Sequence, residues 1–264
     1  MPVDRANPSV RRSVLLLVIT VSAVSVLAGC ASPAFTSGAA SSPADATVAA
    51  DRPVRAPADG TTSRQSARDL KLPGVGGGML ADIPDTTRQV LLATGDGKNA
   101  NTATVALYER SADGWEQAAG PWPAHNGLRG WTDDHHLGDL RSPIGVFRLT
   151  DAGGLLADPG TRLPYDRSSA FSISGTGFEG EPLAGSFDYV IAINYNRKSG
   201  TTPLDWTRPL GAERGGGIWV HVDHAGPTQG CVSIAEEHIK ELLLALDPDL
   251  DPVIVMGDAA SLTR

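Results

Sequence analysis

The sequence predicts a mainly β, sandwich-like domain with a single helix in its C-terminal half. Three observations carry this. Short apolar segments, several of them alternating with polar residues, recur along the chain and are bounded by turn residues. The 264 residues include 30 Gly and 19 Pro, a composition of many turns and few long helices. One stretch only, "SIAEEHIKELLLAL", carries a convincing helical pattern.

The elements follow in chain order. "RQVLLAT" (Arg88 to Thr94) reads as a strand. "NTATVALYER" (Asn101 to Arg110) alternates with a period of two, and Asp113-Gly114 turns it back toward Trp115 as a hairpin. "GVFRLT" (Gly145 to Thr150), "FDYVIAINYN" (Phe187 to Asn196) and "GIWVHV" (Gly217 to Val222) are further strands. Ser233 and Glu236 make a capping box for the helix, and Ile239, Leu242, Leu243 and Leu246 form its apolar stripe. Asp247-Pro248 stops it, and "PVIVMG" (Pro252 to Gly257) is the closing strand.

These elements occupy residues 72–264. Ahead of them, residues 31–71 are rich in Ala, Ser, Pro, Thr and Asp, with no period and little to bury. They read as a disordered tether. Residues 1–30 read as a signal peptide: Arg11 and Arg12, an apolar run too short to span a membrane, then small residues up to Cys30. "LAGC" (Leu27 to Cys30) resembles a bacterial lipobox. That resemblance implies that Cys30 is acylated and that the chain is exported and held on the cell membrane by lipid. An ordinary secretory signal cut nearby is the alternative.

Charge narrows the partners. The net charge of -8 comes with no Lys/Arg cluster, which argues against a nucleic-acid partner. The chain has two cysteines. If Cys30 carries lipid, Cys231 has no disulfide partner, and a lone thiol outside the cell is either buried or used.

Cys231 lies in "HVDHAGPTQGCVSI", His221 to Ile234. Strand alternation sends Ile218, Val220 and Val222 to the core and Trp219 and His221 to the other face. The ten residues from His221 to Cys231 suffice for a loop that returns the thiol over the imidazole. Cys231 precedes the expected helix cap Ser233, and a helix N-terminus lowers a thiol's pKa. Gly230 lets the backbone approach a ligand, so the Gly230 and Cys231 amides are candidates for an oxyanion hole. In that reading Cys231 is the nucleophile and His221 its base. From the residues alone, a small buried Cys and a solvated strand-end His remain open.

The same stretch resembles the L,D-transpeptidase catalytic domain, also called the YkuD domain. That family carries a His, a loop, and a Ser/Thr-x-Gly-Cys element, matched here by His221 and by Thr228-Gln229-Gly230-Cys231. Its upstream Gly-Asp-x-x-Thr/Ser-Pro-x-Gly-x-Phe/Tyr element is matched by "GDLRSPIGVF", Gly138 to Phe147. "YVIAINYN" and "PVIVMGD" also look like actinobacterial members, so the resemblance covers roughly residues 80–258. It implies a β-rich fold and a Cys231 acyl-enzyme, with His221 as base and acid and Gly230 in the oxyanion hole. It implies peptidoglycan stem peptides as substrate, cut after the diamino acid with release of D-Ala. It calls for no cofactor and no metal, and it makes the lipid-anchored protein face the cell wall. Gln229 stands where many members have His or Arg, Ser233 where many have Arg, and the His-to-Cys interval is short. These departures point to a divergent branch.

Other residues fit supporting roles. Trp219 walls the site, Thr228 belongs to the Cys element, and Asn194, Asn196 and Arg214 are candidates for holding substrate amides or carboxylates. His224 is the alternative base, and Asp223 could orient His221. "DDHH" (Asp133 to His136) reads as a solvated loop. A zinc peptidase using His221, His224 and Cys231, with Asp133 or His135, is a competing class. Its His-x-x-His at a strand end lacks the one-face spacing of His-x-x-x-His on a helix. A non-catalytic envelope-binding lipoprotein of the same fold is a third.

Overall fold

The computed structural model describes residues 71–264; the expected signal peptide, Cys30 and the expected tether up to residue 70 lie outside the described residues. The domain is mainly β. The expected hairpin is β2 (Thr102–Arg110) with β3 (Trp115–His125), and β1 (Gln89–Gly95) pairs antiparallel with β2 on its other side. Two short strands follow, β4 (Trp131–Thr132) and β5 (Ser142–Pro143), paired only with each other. Then come β6 (Gly145–Gly154), β7 (Tyr165–Arg167), β8 (Val190–Ile193), β9 (Trp219–Val222), β10 (Val232–Ile234) and β11 (Val253–Asp258). The sheet runs β11-β1-β2-β3-β10-β9-β8-β6-β7, and β11 also pairs with β6. That last pairing closes the sheet into a ring, with β7 attached outside it. Closure leaves few unpaired edges to guard.

Alternation decides what each strand buries. In β1, Leu91 and Ala93 point into the main core, while Val90 and Leu92 join a second cluster with Leu72, Met79 and Leu262. The second cluster is supplied partly by the short helices α1 (Gly77–Asp82) and α3 (Ala259–Leu262). In β9, Val220 and Val222 enter the main core with Val232 and Ile234 of β10. Trp219 and His221 therefore face outward, as alternation requires.

The long helix, α2 (Glu236–Ala245), packs Ile239, Leu242 and Leu243 into that core. Leu242 is fully buried, so Leu242→Ala should cost about 2–5 kcal/mol. The helix starts later than the capping box predicts. Its N-cap is Ala235, with no side-chain cap, and Ser233 lies in β10 instead, donating to Asp223 Oδ1 at 2.7 Å. Strand pairing with β9 outcompetes capping, because Val232 and Ile234 gain burial only in the extended form. Likewise β8 is shorter than its sequence suggests: the chain leaves the sheet at Asn194, and Asn196 takes a left-handed φ of 43°.

Candidate active site

β9 and β10 run parallel, in a register that sets Ser233 opposite His221 and Val232 opposite Val220. Cys231 thus enters β10 beside the strand that carries His221. Both residues line one cavity of about 530 Å³ on the outer face of the sheet. That volume suits a small-molecule or peptide segment. The loop between them is pinned rather than free. Thr228 N–H donates to Asn126 O at 3.0 Å, and Thr228 O accepts from Leu128 N–H at 2.9 Å. Thr228 Oγ1 donates to Cys231 O at 2.7 Å and accepts from Gly230 N–H at 3.1 Å.

The two sequence elements meet at this turn. Ser142 of "GDLRSPIGVF" is fully buried and its Oγ lies 3.4 Å from Cys231 O. Gly230 has a φ of 154°, and a Cβ there would stand 3.0 Å from Arg141 O and 3.3 Å from Ile218 Cδ1. A side chain would therefore push the turn off its support. The Gly230 amide is already donated to Thr228, so it is a turn bond and not a free oxyanion donor.

Cys231 has no helix N-terminus to lower its pKa, because β10 intervenes. Burial pushes the thiol up to about 11, with the Trp219 N–H working weakly against it. Its sulfur accepts from that N–H at 3.4 Å and approaches Gly217 O at 3.7 Å. Among the described residues the hydrogen bonds of the Cys231 sulfur go to Trp219 N–H and Gly217 O, and none joins it to His221. His221 is 2% exposed and sits edge-on to Phe187, with ring centroids 5.3 Å apart. Burial lowers its pKa to about 4, against the pull of the Val222 and Ser186 carbonyls. Its Nδ1 lies 2.9 Å from Val222 O. A carbonyl only accepts, so Nδ1 carries the proton and Nε2 is left as the basic atom. At pH 7 both groups are neutral.

The other expected site residues divide. Trp219 and Thr228 line the cavity. Asn194, Asn196 and Arg214 do not. Asn194 Nδ2 donates to Thr150 Oγ1, and its Oδ1 accepts from Arg197, whose guanidinium forms a buried pair with Asp151. Asn196 Nδ2 donates to the carbonyls of Gly211 and Gly215, and its Oδ1 accepts from Leu210 N–H, so it shapes a loop. Arg214 pairs with Asp134. Asp223 does not orient His221: it takes His125 Nδ1 at 2.8 Å together with Ser233. His135 is not solvated. It is 4% exposed, lies 3.1 Å from Asp139 and lines the cavity. Asp133 turns away to Lys98 and Arg264. Among the described residues no group of three or more His, Cys, Asp or Glu is arranged to hold a metal ion.

Three features escape the sequence reading. His224 stacks on His221, ring centroids 5.8 Å apart and 11° from parallel, and its Nδ1 lies 3.2 Å from Glu181 Oε1. Backbone amides at Glu181 and Glu179, with His224, hold the Glu181 carboxyl below the usual range. Phe178, Leu137 and Trp206, exposed by 45%, 72% and 82%, lie along the cavity wall. The run Gly215-Gly216-Gly217 before β9, all at positive φ, forms its floor beside the thiol. That glycine run is the one such signal visible in the sequence; the others depend on long-range packing.

No protein-family model and no curated protein matches the chain. Among solved structures it is similar to the helical cell shape determining protein Pgp2 from Campylobacter jejuni. The match has 17% identity and a TM-score of 0.35, and it covers 66% of this chain. The chain spans about half the length of that protein, 48%.

Proposed function

We propose that this protein is a cysteine acyltransferase of the cell envelope, an L,D-transpeptidase or L,D-carboxypeptidase acting on peptidoglycan stem peptides. The observation that carries it is that Cys231, just ahead of β10, and His221, on the neighbouring parallel strand β9, open onto one cavity. The substrate class rests on the likeness of "GDLRSPIGVF" and "HVDHAGPTQGC" to that family. Export and a lipid anchor at Cys30 belong to the same reading.

In this mechanism the thiol is not a stored thiolate. His221 Nε2 takes the Sγ proton as Sγ attacks the substrate carbonyl, so the thiol leaves its long contact with Gly217 O. The Cys231 amide donates to the oxyanion. The tetrahedral intermediate collapses with loss of the amine, which takes its proton from His221, and leaves a thioester on Cys231. An acceptor amine or water then attacks the thioester, His221 accepts its proton, and the thiol is restored.

The test is mass spectrometry after incubation with a carbapenem. A stable adduct on Cys231 that is lost in Cys231→Ala supports the acyl-enzyme; no adduct overturns it. A second reading, a non-catalytic envelope-binding protein, is favoured by the raised thiol pKa and by the hold of Trp219 N–H on the sulfur. It predicts no adduct at any pH.

A further inference from the structure

Arg208 is the only Lys or Arg among the residues that line the cavity, and no Asp or Glu lines it. In a chain of net charge -8 that is an unusual local balance. The guanidinium is held at one end only. Nη1 donates to the carbonyls of Asp205 and Thr207, at 3.0 and 3.1 Å. No carboxylate stands within ion-pair distance of it among the described residues, whereas Arg148, Arg162, Arg197, Arg214 and Arg264 each have one. Its place is set by the glycine run: a Cβ on Gly216 would come within 2.4 Å of Nε, and one on Gly217 within 3.5 Å of Nη2. Gly217 O is the carbonyl that the Cys231 thiol approaches. The exposed Trp206 ring lies under the guanidinium at 5.0 Å. Burial lowers the pKa of Arg208 from the usual arginine value, so the structure holds an incompletely compensated charge here.

We infer that Arg208 is a carboxylate-recognition residue, and that the substrate is anionic, with a carboxylate docked on the Nε–Nη2 edge while the acyl carbonyl lies at Cys231. A guanidinium edge and a carboxylate match as a two-bond fork. Trp206 gives the adjoining apolar part of the ligand a flat surface. This rests on the acyl-enzyme reading and deepens it by naming the charge of the substrate.

Binding without turnover tests it. Calorimetry on Cys231→Ala protein compares acetyl-L-lysyl-D-alanine with its C-terminal carboxamide. The carboxylate should bind at least about tenfold more tightly, as expected for a hydrogen-bonded charge pair. Adding Arg208→Gln should abolish the preference, weakening the carboxylate far more than the carboxamide, and Arg208→Lys should keep part of it. No carboxylate preference at millimolar ligand, or a preference that persists in Arg208→Gln, overturns the inference. Equal losses for both ligands in Arg208→Gln would make the residue a loop support and overturn it too. Failure of the acyl-enzyme reading shows separately, as absence of a Cys231 adduct in the parent.

Discussion

Thr228 Oγ1 donates to the carbonyl of Cys231 across 2.7 Å and, through the Gly230 N–H it accepts, ties both ends of the Cys231 turn to one hydroxyl. Thr228 is 4% exposed, so water cannot replace it. Thr228→Val keeps the shape and removes both bonds. It should cost about 1–3 kcal/mol of stability and lower the rate of carbapenem adduct formation. Thr228→Ser, which keeps the hydroxyl, should restore most of both. Denaturant unfolding and adduct kinetics check this; a valine variant that matches the parent in both would remove Thr228 from the site.

The thiol makes a second prediction. With Cys231 pushed up to about 11 and His221 down to about 4, no thiolate–imidazolium pair is stored at neutral pH. Iodoacetamide, which samples the thiolate, should react slowly at pH 7 and faster with each unit through pH 9. A plateau reached below pH 8 would reveal a stored ion pair instead.

His125 and Asp223 give a third, with opposite signs at the two partners. The hydrogen bond to Asp223 raises His125 above 6.5 despite burial. Its contribution is full below pH 6.5 and is lost as pH rises through the folded value. Burial alone would raise Asp223, but the bonds from His125 and Ser233 outweigh it and lower it below 3.8. Its contribution is present above 3.8 and is lost as pH falls through the lower folded value. Their joint contribution is therefore greatest between these limits. NMR titration should find His125 above 6.5 in the parent and lower in Asp223→Asn. An unchanged His125 titration would mean that the pair does not hold in solution.

How much of this was legible follows from the range of each signal. Alternation in "GIWVHV" gives the correct faces for Val220 and His221, because a strand's period is local. The capping box places the helix start too early, an error that arises because a capping box is also local while the pull of β9 on Val232 and Ile234 is not. That error also removed the expected source of a low thiol pKa. Asn196 and Arg214 have the right chemistry for substrate contacts, yet backbone carbonyls in one case and Asp134 in the other consume them. Arg208 and Glu181 carry no motif at all. Their relevance appears only once the loops after β7 and β8 fold over the outer face.

The choice of base is the last prediction. His221 has its Nδ1 proton committed to Val222 O, which leaves Nε2 basic, and it lies on a strand that fixes its direction. His224 follows that strand, stacked on His221 and beside Glu181. His221→Ala should therefore slow acylation by about 10²–10⁴-fold, the usual contribution of a positioned base. His224→Ala should cost much less, acting through the packing of the His221 ring. The pH profile separates base catalysis from packing. With a neutral imidazole down to about pH 4 and a neutral thiol up to about pH 11, the parent's acylation rate should be flat between those limits and fall as the imidazole charges. In His221→Ala the reaction must wait for thiolate, so the rate should rise about tenfold per pH unit through the same range. In His224→Ala the flat profile should survive. Equal losses at both histidines would point to a coupled pair that acts as one unit, and a sloped profile in His224→Ala alone would make His224 the base.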